Sequence, residues 1–363
     1  MESLGLTGGF WRGKHVFVTG HTGFKGSWLS LWLHALGANV VGYALDPQSQ
    51  PNLFSVARVA DVLQDERGDI ADVAKMSALM HDHRSEIVVH LAAQALVRRS
   101  YEAPIETFRT NVFGTAALLD AIRATPSVRA AVIVTSDKCY DLYAGNERHR
   151  EADPLGGQDP YSASKAAAEH VVGGYRASFW SVGDGVAPAI ATARSGNVVG
   201  GGDWSKDRLL PDLLAAFEAG VPALVRNPDA VRPWQHVLDP LRGYLVLAEH
   251  MHQTDGARFA RAWNFGPPAD NEWTVGAIAD EAARLYGPPA EWKIDPSQHP
   301  HEAPALRLDS SKAQSELGWQ ARVALPEGLA RTIAWHKRFA AGADARTLVL
   351  SDIEDFTSDA VGS

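Results

Sequence analysis

Cysteine is almost missing from these 363 residues: Cys139 is the single one, so no disulfide can close within the chain and a reducing, cytoplasmic setting is expected. No apolar run approaches the roughly 18 residues of a membrane helix, and Met1 to Gly13 lacks the apolar core of a signal peptide. Basic residues are in deficit too. Lys+Arg 34 against Asp+Glu 43 gives a formal net charge of −9, which argues against a nucleic-acid surface and against a polybasic membrane patch. No internal repeat stands out. These shortages exclude an extracellular scaffold, a membrane protein and a DNA binder. What is present, 45% hydrophobic and 21% charged residues, suits a soluble globular enzyme with a large core.

Short β-branched runs alternate with longer amphipathic stretches through the first half. His15–Val18, Val40–Tyr43, Ile87–Leu91, Ala131–Thr135 and Ala189–Ala193 read as strands. Phe24–Leu36, Ile105–Ile122 and the stretch after Tyr161 carry apolar residues at helical spacing. Strands alternating with helices predict βαβ crossovers and a doubly wound α/β domain with a parallel sheet. After about Ser195 the rhythm changes to short segments punctuated by proline and glycine, as in a smaller, loop-rich region over the strand ends. The tail Ser351–Ser363 has four acidic residues and no Lys or Arg, and is expected to be mobile. The Gly-rich N-terminal dozen, with Phe10 and Trp11, either packs on the domain or is partly tail.

At the first strand–helix junction the chain reads Gly20-His-Thr22-Gly23-Phe24-Lys25-Gly26. Gly20 permits a tight turn, Gly23 lets the backbone approach a pyrophosphate, and Gly26 lets the helix sit close to the strand. The free N–H groups of the helix start then face the anion. Asp46, 20 residues after Gly26, is placed to accept adenosine ribose hydroxyls and would repel a 2′-phosphate, favouring NAD; alternatively Asp46-Pro47 simply opens a turn. Asp69, followed by Ile70, either meets the adenine or caps the next helix.

Tyr161 and Lys165 stand at i and i+4 on one helix face, introduced by Asp159-Pro160. A phenol of pKa near 10 is a poor base at neutral pH, and a neighbouring ammonium plus an oxidised nicotinamide favour its phenolate. Together the glycine loop and this pair resemble the extended short-chain dehydrogenase/reductase superfamily. The resemblance implies a Rossmann-type NAD-binding domain over 1–195, with part of 229–263 returning to it. It also implies a mainly nucleotide-sugar-binding, mixed α/β region over 196–350, with 351–363 an acidic tail. It further implies that Asn111 helps hold the lysine side, and that the protein is a homodimer joined through helices flanking the sheet.

Strand Ala131–Thr135 leads into Ser136-Asp137-Lys138. Moving one hydride needs only a Ser/Thr and a Tyr–Lys pair. Removing water from a sugar also needs a group to take the C5 proton and one to protonate the departing C6 oxygen, and Asp137-Lys138 offers both. In a straight strand Ser136 and Asp137 face opposite ways, so the chain must turn there. The segments Gly20–Trp28, His90–Val97 (with Ala92 and Ala93), Thr135–Tyr140, Gly156–Lys165, Arg194–Trp204, Arg232–His236 and His299–Glu302 resemble the CDP-glucose 4,6-dehydratases.

That resemblance implies that CDP-glucose is oxidised at C4 by NAD, loses water and is reduced at C6, in a pathway to deoxysugars. Tyr161 would take the 4-hydroxyl proton, with Ser136 and Lys165 beside it. Asp137 would protonate the leaving 6-hydroxyl, and Lys138 would assist at C5. Gly20, Thr22, Gly23, Phe24, Lys25, Gly26, Asp46, Asp69, Ile70, Ala92, Ala93 and Asn111 would hold the cofactor. Asn197, Arg208, Arg232 and His299 would hold the substrate. The segment 142–153 departs from the family's aromatic-rich stretch, and a loop there could cover the sugar or nicotinamide. A 4-epimerase, a dehydratase of another nucleotide sugar and a non-catalytic NAD-binding regulator are the alternatives. Neither Asp82 with His81 and His83 nor His299-x-His301-Glu302 has a third well-spaced ligand set, so no metal is expected. Cys139 beside Lys138 is either an activated thiol or core packing.

Overall fold

A computed structural model describes residues 9–142, 147–180, 187–253, 255–268, 273–297 and 305–358. Seven strands form one all-parallel sheet: β1 (His15–Thr19), β2 (Asn39–Ala44), β3 (Gln64–Arg67), β4 (Ile87–His90), β5 (Ala130–Val134), β6 (Ala189–Ser195) and β7 (Ala262–Phe265). Their order is β7-β6-β5-β4-β1-β2-β3, so the direction of winding reverses between β1 and β4. A crevice opens at the carboxyl ends of the strands at such a reversal, and this one holds the site.

The two-residue period of the strands sorts side chains onto two helical layers. Val16, Val18, Val89, Val132 and Ala191 face α1 (Phe24–Ala35) and the later helix Leu238–His252. Phe17, Val41, Val88, Ile133 and Ile190 face Val73–Asp82, Gly114–Arg123 and the long helix Pro160–Phe179. A separate core built from Leu210, Leu213, Phe217, Ile278, Leu329 and Ile333 holds three helices, Leu209–Glu218, Val275–Tyr286 and Leu325–Ala340. This smaller unit stands over the crevice. No helix among the described residues is long and apolar enough to cross a membrane.

Two strands escape the sequence pattern. β3 reads Gln-Asp-Glu-Arg and lies at the sheet edge, where no second strand demands apolar alternation. β7 closes the opposite edge from residues well beyond the first half of the chain. Trp11 is fully buried in the main core with Phe10 packed against it, so that part of the N-terminus packs on the domain.

The expected mobile tail is corrected more sharply. Residues Ala345–Ser358 form a helix, and Leu348, Val349, Ile353 and Phe356 are buried against the sheet's first helical layer. The Phe356 ring meets Trp32 of α1 edge-on at 5.7 Å, and Arg346 donates to the carbonyls of Ala57 and Arg58. Acidic residues on the exposed side of this helix masked its apolar stripe. Replacing Phe356→Ala is therefore expected to cost about 3–5 kcal/mol, through lost transfer energy and the cavity left behind. Chemical denaturation checks this, and an unmoved midpoint would mean that the helix contributes nothing to the core.

Candidate active site

A cavity of about 740 Å³ runs along the strand ends, lined by Gly20, Thr22–Gly26, Ala44–Asp46, Leu91–Leu96, Val134–Lys138, Tyr161, Lys165 and Ser195–Val198. Its far end reaches Arg208, Leu210, Val225, Asn227, Arg232 and Trp234 of the smaller unit.

The glycine loop has the predicted form. Gly20 adopts φ +76°, and a Cβ there would come within 2.6 Å of the Ala92 nitrogen. A Cβ on Gly26 would lie 2.1 Å from the Gly20 carbonyl oxygen, so only glycine lets α1 approach β1. Gly23 is open, with the Gly20 oxygen 3.4 Å away as its one neighbour, and α1 begins with no side-chain cap. A shallow backbone cradle with uncapped N–H groups fits a pyrophosphate. The cradle, the cavity's length and the flanking carboxylates fit a dinucleotide as a whole.

Thr22 Oγ1 donates to the Leu45 carbonyl and steadies that loop. Asp46 is exposed at the end of β2, 3.2 Å from Arg67 Nε, and lines the cavity with Ile70, Ala92 and Ala93. Asp69 also lines it, but one oxygen accepts from the Ala71 N–H and the other from Arg109 at 2.8 Å. The cap of the following helix is Asp72, so Asp69 braces the turn before it. Asn111 does not line the cavity. Its amide accepts from the Gln94 N–H at 2.8 Å and donates to the Gln94 carbonyl and to Ser164 Oγ. It thus ties the cavity wall to the helix carrying Lys165 without touching Lys165.

Lys25 extends away from its loop. Its buried ammonium donates to Ser195 Oγ at 2.9 Å and to Tyr244 OH at 3.4 Å, and burial beside Arg208 lowers its pKa to about 7. The sequence places Lys25 in the phosphate loop, but nothing local announces Ser195 or Tyr244 as its partners. They come from β6 and the helix Leu238–His252.

The required turn lies between the reactive side chains. β5 stops at Val134, Ser136 is extended, and Asp137–Cys139 form a single 3₁₀ turn. Ser136 Oγ donates to Asp137 Oδ1 at 2.9 Å and accepts from the Lys138 N–H. Asp137 Oδ2 is buried and has no hydrogen-bond partner. Burial raises the pKa of Asp137 against the opposing pull of Lys138 and other cations. Tyr161 lines the same cavity as Ser136, and desolvation pushes its phenol up to about 12. Lys165 Nζ donates to the Val134 carbonyl at 3.3 Å, and burial brings it down to about 8. Burial thus outweighs the pull of Arg208, and the side chains of this chain alone leave the phenol raised.

Asn197 and Arg232 line the far part of the cavity; Arg232 is 5% exposed and donates to the Val231 carbonyl. Arg208 lines it too, 3.2 Å from Asp203. His299, His301 and Glu302 lie outside the described residues. Of the segment 142–153, the part from 147 on does not line the cavity. His149 stacks on Tyr140 at 4.8 Å, and Arg150 pairs with Asp309. Cys139 is fully buried and its pKa is raised, which makes it packing and not a reactive thiol. No cluster of three metal-ligating side chains occurs among the described residues.

The chain is 49% identical over 353 residues to a CDP-glucose 4,6-dehydratase of Salmonella typhimurium, covering 96% of this chain and 98% of that one. It is 32% identical to a dTDP-glucose 4,6-dehydratase of Streptomyces griseus, over 89% of this chain and 94% of the relative. Among solved structures, a dTDP-glucose 4,6-dehydratase of Streptomyces venezuelae with NAD and TYD bound superposes with a TM-score of 0.75 at 25% identity. That match covers 89% of this chain and 97% of the other. With residues 17–332 matched to it as well, the chain belongs to the GDP-mannose 4,6 dehydratase family.

Proposed function

We propose that the protein is an NAD-dependent nucleotide-sugar 4,6-dehydratase that converts CDP-D-glucose to CDP-4-keto-6-deoxy-D-glucose and water. One observation carries this proposal: a buried carboxyl with a raised pKa, Asp137, shares one cavity with Ser136, Tyr161 and Lys165. A simple reductase has no use for that acid. The similarity to a CDP-glucose enzyme at 49% identity supports the choice of nucleotide.

Bound NAD would accept hydride from the sugar's C4 and return it at C6, so the reaction carries no net oxidation. Tyr161 accepts the proton of the 4-hydroxyl, with Ser136 orienting that oxygen and the Lys165 ammonium stabilising the developing phenolate. The 4-ketone acidifies the C5 proton; Lys138 would take that proton and give it back to C5 as hydride returns at C6, which completes the 6-deoxy product. Asp137, whose pKa burial raises, gives a proton to the departing 6-hydroxyl, so that water leaves. Asn197, Arg208 and Arg232 hold the diphosphate, where the guanidinium forks suit its oxygens. Gly20, Thr22 to Gly26, Asp46, Ile70, Ala92 and Ala93 hold the cofactor, and Asp69 and Asn111 shape its walls.

Incubation with NAD and, separately, with CDP-, dTDP-, GDP- and UDP-glucose, followed by product mass, tests the assignment. Loss of one water from CDP-glucose alone is the expected result. A product isomeric with the substrate would mean epimerisation, and cofactor binding without turnover would mean a non-catalytic protein.

The protein is further proposed to work in the cytoplasm, in keeping with its single cysteine, and as a homodimer. Tyr101, Ile105, Phe108 and Phe113 lie exposed on the helices before Gly114, and Ile105 is 79% exposed. So much apolar surface in one stretch suits a self-complementary helical interface. Ile105→Glu with Phe113→Glu is expected to shift the mass in sedimentation from dimer to monomer. A wild-type chain that sediments as a monomer would remove the proposal.

A further inference from the structure

Tyr161, Lys165 and Glu169 follow one another at i, i+4 and i+8 along the helix Pro160–Phe179, and all three are buried. The reaction proposed above uses the first two. Glu169 points instead to the sheet, where both carboxylate oxygens are fully engaged. Its Oε1 accepts from Thr135 Oγ1 at 2.5 Å and from Arg194 Nε at 2.9 Å. Its Oε2 accepts from Thr192 Oγ1 at 2.7 Å and from Arg194 Nη2 at 2.8 Å. The remaining Arg194 nitrogen donates to Tyr140 OH at 2.8 Å and to the Glu151 carbonyl. Tyr140 OH in turn donates to Asn264 Oδ1 at 2.7 Å.

Thr135 immediately precedes the turn that carries Ser136, Asp137 and Lys138, and Tyr140 immediately follows it. One carboxylate–guanidinium pair therefore grips both ends of the turn, and its anchor is the helix that carries the tyrosine and lysine. The two side chains are only 3% and 2% exposed. A buried ion pair gains little stability over apolar side chains of the same volume, because desolvation offsets the Coulomb attraction. Directed geometry is what such a pair adds: a guanidinium fork and four acceptor bonds hold their partners at set angles.

We propose that Glu169 and Arg194 are positioning residues that hold the Ser136–Cys139 turn in register with Tyr161 and Lys165, so that the oxidising and dehydrating groups meet one bound sugar. This rests on the dehydratase assignment for its chemistry but not for its geometry. Cys139, the only cysteine and fully buried in that turn against Ala166 of the helix, is a built-in reporter.

Thr135→Val removes one bond to the carboxylate, and Glu169→Asp keeps the charge but shortens its reach, so both variants should fold. Each is expected to label at Cys139 with a thiol reagent about tenfold faster than wild type under native conditions, since local opening of the turn controls access. With CDP-glucose, kcat should fall about tenfold at little-changed KM, with reduced cofactor accumulating because water loss slows more than oxidation. Phe356→Ala, remote from the site and compared at matched distance below its Tm, is the control for general loosening. Wild-type labelling rates in both variants would overturn the proposal. So would unchanged kcat in an active enzyme, or the same two changes in Phe356→Ala. Should wild type fail to turn over CDP-glucose, the dehydratase assignment falls, while the labelling rates still decide the positioning role.

Discussion

Tyr161→Phe is expected to remove turnover, lowering kcat by roughly 10²–10⁴-fold, the span of a lost general base. The ring is 7% exposed and its loss would leave a void, so phenylalanine is the substitution that preserves packing. The Tyr161 N–H still donates to Ser100 Oγ, so the start of the helix is untouched. What disappears is the phenolic oxygen in the cavity it shares with Ser136, the group proposed to take the 4-hydroxyl proton. In the chain alone burial holds that phenol near 12, so the full effect depends on the positive nicotinamide that NAD brings. Cofactor affinity should stay near wild type, because the glycine cradle lies on another element. Fluorescence titration with NAD and a single-turnover assay separate the two. Normal turnover in this variant would sink the assignment of the base, and lost NAD binding would show a structural role.

Asp137→Asn should have an effect of similar size but at a different step. Asparagine matches the carboxyl in shape and still accepts from Ser136 Oγ, yet it has no proton to give. Water loss should slow by roughly 10²–10⁴-fold while oxidation at C4 proceeds, so reduced cofactor accumulates and is read by its near-ultraviolet absorbance. The sign follows from burial. A carboxyl whose pKa is raised is protonated over more of the neutral range, which suits an acid. Equal slowing of both steps would instead mean that Asp137 merely holds the turn. Because Oδ2 has no hydrogen-bond partner in the protein, the substitution breaks no existing bond there. That makes the comparison a clean one between a proton donor and its isostere.

These two predictions differ in how far they could be read from the chain. Tyr161 and Lys165 lie one helical turn apart, and the glycines of the phosphate loop are three residues apart. Spacing alone put each set on one surface. Strand and helix periods likewise predicted five strands of the sheet, because buried central strands must be apolar. The edge strand Gln64–Arg67 was invisible for the converse reason: it has no second neighbour and carries polar side chains.

Local chemistry thus made legible the glycine turn, the placing of Tyr161 and Lys165 on one helix and the alternation of strands and helices, since each is decided by neighbours within one or two turns. Folding alone decided the rest. It turned the chain after Ser136 so that Ser136 and Asp137 meet, and it carried the Lys25 ammonium to Ser195 and Tyr244. It also made a buried helix of a tail that looks merely acidic, and closed Glu169 onto Arg194 across 25 residues. Burial and long-range contact set those charges and positions, and neither is encoded in the spacing of residues along the chain.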